Sequence, residues 1–158
     1  MPLPNVDEVE LVDERTSRSL MQLPDIDITV YAGTGANRRF VATHRNRVAG
    51  VAKDCTLVFT IPNPHIVPQF ATVEWTVRNK GLDADAFSDL GHRTMGMRLL
   101  QSEERTRYLG THHMDCIVRV NGQVYAARRV PVPIRDVQHH VQAPAKPSYT
   151  RLRMKRRR

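Results

Sequence analysis

Residues 71–79 read ATVEWTVRN, and this stretch decides the fold. Along an extended chain Val73, Trp75 and Val77 fall on one side, and Thr72, Glu74, Thr76 and Arg78 on the other. Apolar residues at every second position are the period of a strand that lays one face on a core. Such a strand, half-buried, belongs to an antiparallel sheet with one solvated face. Further along, His112–Val120 and Gln123–Ile134 read as two strands joined by Asn121-Gly122, the dipeptide best suited to a two-residue hairpin turn. Pro131 and Pro133 lack backbone donors, so the second of these strands is expected at a sheet edge. Upstream, Cys55–Ile61 (CTLVFTI) is a strand stopped by Pro62-Asn63-Pro64. Asp27–Tyr31, Arg38–Thr43 and Arg105–Tyr108 are shorter strand candidates, with a turn at 32–37. Asp83–Leu90 reads as a short helix or irregular crossover, and Thr94–Glu104 has no single reading. About seven short strands with little helix predict an all-β, antiparallel, immunoglobulin-like β-sandwich.

The hairpin also predicts a register. A two-residue turn pairs Val120 with Gln123. Counting back, Val118 opposes Tyr125, Ile117 opposes Ala126, Cys116 opposes Ala127, and Asp115 opposes Arg128 in a cross-strand ion pair. Cys116, Val118, Val120, Tyr125 and Ala127 are then the core set. Val130, Val132 and Ile134 fall on the wrong parity for a core, which predicts a bulge near Arg129–Pro131.

The chain of 158 residues suits one domain, and 41% hydrophobic content is enough for a core without metal or disulfide staples. Collagen-like, coiled-coil and wholly disordered classes are excluded. Cys55–Val73 is the longest stretch free of Asp, Glu, Lys and Arg, but its three prolines and polar residues do not make a membrane helix. The first ten residues, MPLPNVDEVE, lack the apolar core of a secretory signal. Charge divides the chain. Residues 1–25 carry six acids against Arg15 and Arg18 and form an acidic N-terminal arm, with weak helical spacing at Val6, Val9 and Val12. Residues 26–137 are the sandwich, and 138–158 a basic tail. Of the net charge of +8, seven come from Lys146, Arg151, Arg153, Lys155, Arg156, Arg157 and Arg158. Such a tail binds nucleic acid without sequence preference, or serves an acidic partner or solubility alone.

Nothing in the chain spells catalysis. His112-His113-Met114-Asp115-Cys116 holds every zinc ligand type, but in a strand His112 and Cys116 stand roughly 13 Å apart and adjacent histidines face opposite ways. Cys116 lies mid-strand with Met114 and Val118, where a thiol is inert. Asp83, Asp85 and Asp89 lack the surrounding motif of a two-metal nucleotidyltransferase, and no P-loop, GxGxxG or GxSxG occurs. The expectation is a non-enzyme with no metal and no cofactor. Cys55 and Cys116 read as two buried, reduced thiols of a cytoplasmic protein, or as one bridge between packed sheets.

One longer pattern remains. V73-x-W75-x-V77-x-N79-x-G81 precedes an acidic linker with Ala84, Ala86, Asp89, Leu90 and Gly91. It is followed by T106-x-Y108-x-G110-T111-H112-x-x-D115-C116, then N121-G122 and A126-A127-R128. This resembles the adenylyl/guanylyl cyclase and SMODS C-terminal sensor domain of bacterial anti-phage nucleotide-signalling systems, across about residues 26–134. Three departures stand out: Leu90-Gly91-His92 replaces a Leu-Arg-Gly step with Arg93 displaced, His113 replaces a tryptophan, and no nucleotidyltransferase precedes a chain that starts at Met1. The resemblance implies ligand contacts from Trp75, Asn79, His92, Arg93, Tyr108 and His112. Each also has a plain structural reading: Trp75 as core, Asn79 as a turn residue, His112 as a satisfied half-buried histidine and Tyr108 as a local hydrogen-bonder.

Two functional classes follow. The first is a non-enzymatic sensor that binds a nucleotide-type ligand and relays it to a protein partner, a nucleotidyltransferase or an effector. The second is a structural or assembly protein that uses the sandwich as an interaction module, through self-assembly or another chain. Nucleic acid through the tail is a third contact; a membrane is not expected.

Overall fold

The computed structural model describes residues 24–89 and 91–141. The arm up to residue 23 and the cationic segment Lys146–Arg158 lie outside them. The strands are β1 (Asp27–Ala32), β2 (Arg39–Arg45), β3 (Cys55–Thr60), β4 (Thr72–Arg78), β5 (Arg93–Met97), β6 (Gln101–Arg105), β7 (Gly110–Val120) and β8 (Gln123–Ile134), with a short helix α1 (Leu82–Ala86) after β4. They form two antiparallel four-stranded sheets, ordered β2-β1-β3-β6 and β5-β4-β7-β8. The expected all-β sandwich is what the chain builds.

The alternation in residues 72–78 explains the core. Val73 and Trp75 are buried on the inner face of β4 and meet Ile28, Val30, Leu57 and Phe59 from the first sheet. Trp75 and Phe59 bring their rings to 6.3 Å across the two layers, and the indole N–H donates to the Leu99 carbonyl at 2.8 Å. Burying side chains of this size contributes about 1.5–3 kcal/mol each. Both cysteines are free and buried. Burial pushes both thiols up, Cys116 far up, which keeps them protonated.

Three expectations need correction. The candidate strand Arg105–Tyr108 is displaced: the strand is Gln101–Arg105, and residues 106–108 are outside any strand. Its sequence QSEER shows no apolar alternation, because it is an edge strand in which only Ser102 is buried.

The hairpin turn is as expected, with Asn121 at φ 52° and Gly122 at φ 77°, the mirror-image turn that suits strand twist. The register beyond it is not. Arg119 faces Val124, but Val118 faces Ala126, so Tyr125 is the extra residue of a bulge. The bulge sits next to the turn and not at Arg129–Pro131. One added residue flips everything after it: Ala126, Val130, Val132 and Ile134 point into the core, and Tyr125 is 45% exposed. Ala127 is buried, but against Ile117 on the outer face. Asp115 therefore faces Arg129 and not Arg128. Arg128 instead donates to the Pro24 carbonyl at 2.7 Å.

The third correction concerns the polar side of β4. Glu74 and Thr76 are 2% and 0% exposed, so this face is not solvated. Glu74 is held by Arg93 at 3.1 Å and Arg119 at 3.5 Å. Asp115, opposite Thr76 on β7, accepts from Arg129 at 2.7 Å and Arg78 at 3.1 Å. The proline-bearing β8 does lie at an edge. Its outer side is closed by residue 51: Val51 N–H donates to Pro133 and Arg135 N–H donates to Val51, both at 2.9 Å. His139 adds a further tie by accepting from Ala52 N–H at 2.9 Å.

Candidate functional site

At one end of the sandwich the sheets part. β6 stops at Arg105 and β7 begins at Gly110. The loop between them rims a cleft of about 390 Å³, counting space open to solvent. Leu57, Phe59, Val77, Met114, Val132 and Ile134 form an apolar floor. Asn79, Glu104, Arg105, Thr106, Arg107, Tyr108, His112 and His113 supply the polar lining. An apolar cleft with a few convergent polar groups is the usual form of a small-molecule site.

Close backbone packing sets the rim. Gly110, at φ +132°, has no room for a side chain, since a Cβ there would sit 2.3 Å from the Lys80 carbonyl oxygen. The loop after β4 and the loop before β7 therefore touch backbone to backbone. His112 locks the contact. Its Nδ1 accepts from Lys80 N–H at 3.1 Å, so its Nε2 carries the proton and donates to the Tyr108 carbonyl at 2.7 Å. Burial pushes the His112 pKa down, against the raising effect of the Tyr108 carbonyl, which favours this neutral tautomer. Tyr108 donates its hydroxyl to Asp89 at 2.8 Å, which raises the phenol pKa. Its ring stacks on Phe87 at 5.8 Å. Asn79 reaches the other Asp89 oxygen at 3.5 Å. Thr106 is buried behind the rim and donates to the Ala52 carbonyl at 2.7 Å while accepting from Cys55 N–H at 2.9 Å.

Glu104 is the electrostatic oddity. Its carboxylate is largely buried and sits 2.8 Å from His92 Nε2. Burial pushes its pKa up, opposed by the His92 charge. A carboxylate held at such a cost in a cleft is a common mark of a functional site.

Asn79, Tyr108 and His112 thus meet at the cleft, and His92 reaches it through Glu104. Trp75 and Arg93 do not join them. Trp75 is core, and Arg93 is on the outer face of the second sheet beside Glu74. Reading the sequence alone misses Glu104, Arg105, Arg107 and His113. The displaced strand hid the first three, although Arg105-Thr106-Arg107-Tyr108 already alternated charge with anchoring groups. Among the described residues no three His, Cys, Asp or Glu side chains converge as metal ligands, and no helix is long and apolar enough to cross a membrane. The seven cations of Lys146–Arg158 lie outside the described residues.

Comparison with known proteins agrees with this architecture. Over 120 residues the chain is 28% identical to a cyclic GMP-AMP synthase from Escherichia albertii, an alignment covering 76% of this chain and 26% of that protein. The chain therefore spans about a quarter of the length of that relative. Residues 10–135 match the family described as the Adenylyl/Guanylyl and SMODS C-terminal sensor domain. What is matched is a sensor domain and not a catalytic nucleotidyltransferase domain. With most of its length inside that match, the chain belongs to the Adenylyl/Guanylyl and SMODS C-terminal sensor domain family.

Proposed function

We propose that this chain is a non-enzymatic sensor of anti-phage nucleotide signalling, that its cleft takes a nucleotide-type ligand, and that binding is relayed to a protein partner, a nucleotidyltransferase or an effector. The observation that carries the reading is the cleft itself. Asn79, Tyr108 and His112, chosen from the sequence as ligand contacts, line one opening with an apolar floor. The floor suits a flat base. Arg105 and Arg107, both exposed at the rim, suit a phosphate. Asn79 offers the donor and acceptor pair that reads a base edge. The site carries no nucleophile: both thiols are buried and protonated, and His112 is spent on two backbone groups.

A thermal-shift panel of cyclic and linear nucleotides on the full chain tests this. At least one should stabilise the protein and remain chemically intact, and Arg107→Ala should weaken the effect. A folded sample that responds to none favours the assembly-module reading. Turnover of any of them overturns the non-enzymatic assignment.

A further inference from the structure

The outward face of the second sheet is buried in a way that its own elements do not explain. Glu74, Thr76, Asp115, Ile117 and Ala127 stand on that face, and none is more than 2% exposed. The sheet's inner face is occupied by the core, and α1 lies at the cleft end, where Asp83 accepts from Leu109 N–H at 3.1 Å. Among the described residues Ile117 has only Ala127 and Val124 as apolar neighbours on this face. Thr76 Oγ1 is buried with no hydrogen-bond partner. An open sheet face does not exclude water this completely.

We propose that the acidic N-terminal arm, residues 1–23, docks on this face. Three observations select it. First, the chain enters the described fold beside the face: the Pro24 carbonyl is bonded to Arg128 on β8, the edge strand of this sheet. Twenty-three residues reach about 35 Å as helix at ~1.5 Å each, ample for a four-stranded sheet about 15 Å across at ~4.8 Å spacing. Second, the charges complement. The face carries Arg78, Arg93, Arg119 and Arg129 against Glu74 and Asp115. The arm carries Asp7, Glu8, Glu10, Asp13 and Glu14 against Arg15 and Arg18. Val6, Val9 and Val12 recur at helical spacing and offer the apolar stripe that Ile117 and Ala127 would receive. Third, the family match starts at residue 10, inside the arm, so the arm belongs to the domain and not to a linker. β4, β7 and β8 then carry the arm on one face and the cleft floor (Val77, Met114, Val132) on the other. The proposal stands apart from the ligand reading, because it concerns only the outer face.

The test is thiol labelling of the full chain with Ala127→Cys; the native thiols of Cys55 and Cys116 are buried. Cys at 127 should label at least about tenfold more slowly than Cys at 97, where Met97 is 73% exposed. Replacing Asp7, Glu8, Glu10, Asp13 and Glu14 together by Lys should remove most of that protection. Equal labelling at both positions, or protection unchanged by the charge reversal, overturns docking by the arm. Protection lost on dilution assigns the face to a second copy and overturns it too. Should the reversed arm impair folding, a nitroxide on Val12→Cys in the otherwise native chain reads the same contact. Its broadening should concentrate on Thr76, Ile117 and Ala127, and broadening on β1 and β2 instead refutes the proposal.

Discussion

Removing the Asp115 carboxylate should be among the most damaging single changes outside the apolar core. Asp115 is 1% exposed. It accepts from Arg129 Nε at 2.7 Å, Arg129 NH2 at 3.1 Å and Arg78 Nε at 3.1 Å. Asp115→Ala takes the shared anion from two guanidinium groups that are themselves largely buried, with side chains 9% and 18% exposed. Breaking a buried pair by removing one partner costs about 3–5 kcal/mol, a large share of the roughly 5–15 kcal/mol that holds a domain. The melting temperature should fall by roughly 12–20 °C at about 4 °C per kcal/mol. Urea denaturation followed by the fluorescence of Trp75, the single tryptophan, gives the cost, with the slope m unchanged. A double-mutant cycle locates the partner: Asp115 with Arg129 should couple by about 1–3 kcal/mol, and Asp115 with Arg128 by no more than about 0.5. A cost under about 1 kcal/mol would place the pair among exposed salt bridges. Coupling to Arg128 in place of Arg129 would refute the bulge at Tyr125.

Three further outcomes are expected. Burial pushes the pKa values of His112 and His113 down, the latter aided by Arg129 and Lys80 and opposed by Asp115. Between the depressed folded values and the unfolded value near about 6.5 the unfolded chain binds more protons, so stability should fall as pH drops below ~6.5; melting curves on the native chain and on His112→Gln should show a shallower loss in the variant. Gly91→Ala should cost at least about 3 kcal/mol or abolish folding, because its Cβ would lie 1.9 Å from the Val77 carbonyl at φ +119°, whereas Gly35→Ala at φ +66° with open space around it should cost only about 1–2 kcal/mol by the same melt. Tyr108→Phe should lower stability by about 1 kcal/mol through the lost hydroxyl bond to Asp89, measured by urea titration.

The fold is legible where one period dominates. Residues 72–78 alternate without exception, and Asn121-Gly122 can form only a tight turn, so both features read directly. The register fails because QVYAARRVPVPI satisfies the core with one extra residue at either of two places. The conflict between Ala127 and Val130 shows that a bulge exists, but only packing decides that Tyr125, and not a residue near Pro131, is expelled. The site is legible in part for a related reason. Asn79, Tyr108 and His112 carry side chains suited to polar contacts and lie near turns, where such contacts gather. Glu104 carries no local signal, since its meaning comes from His92 and from desolvation between two sheets. Trp75 and Arg93 show the converse. Their residue types suit a ligand, but parity sends one into the core and the other to the far side of the sheet.

Chemical-shift mapping on the full chain tests the central claim most directly. A stabilising nucleotide from the panel is titrated into labelled protein. The account predicts saturable shifts centred on the amides of Asn79, Glu104, Arg107, Tyr108 and His113, largely insensitive to moderate salt. Shifts confined to Lys146–Arg158 and fading steeply as salt rises, or a cleft whose signals do not move at all, would contradict it.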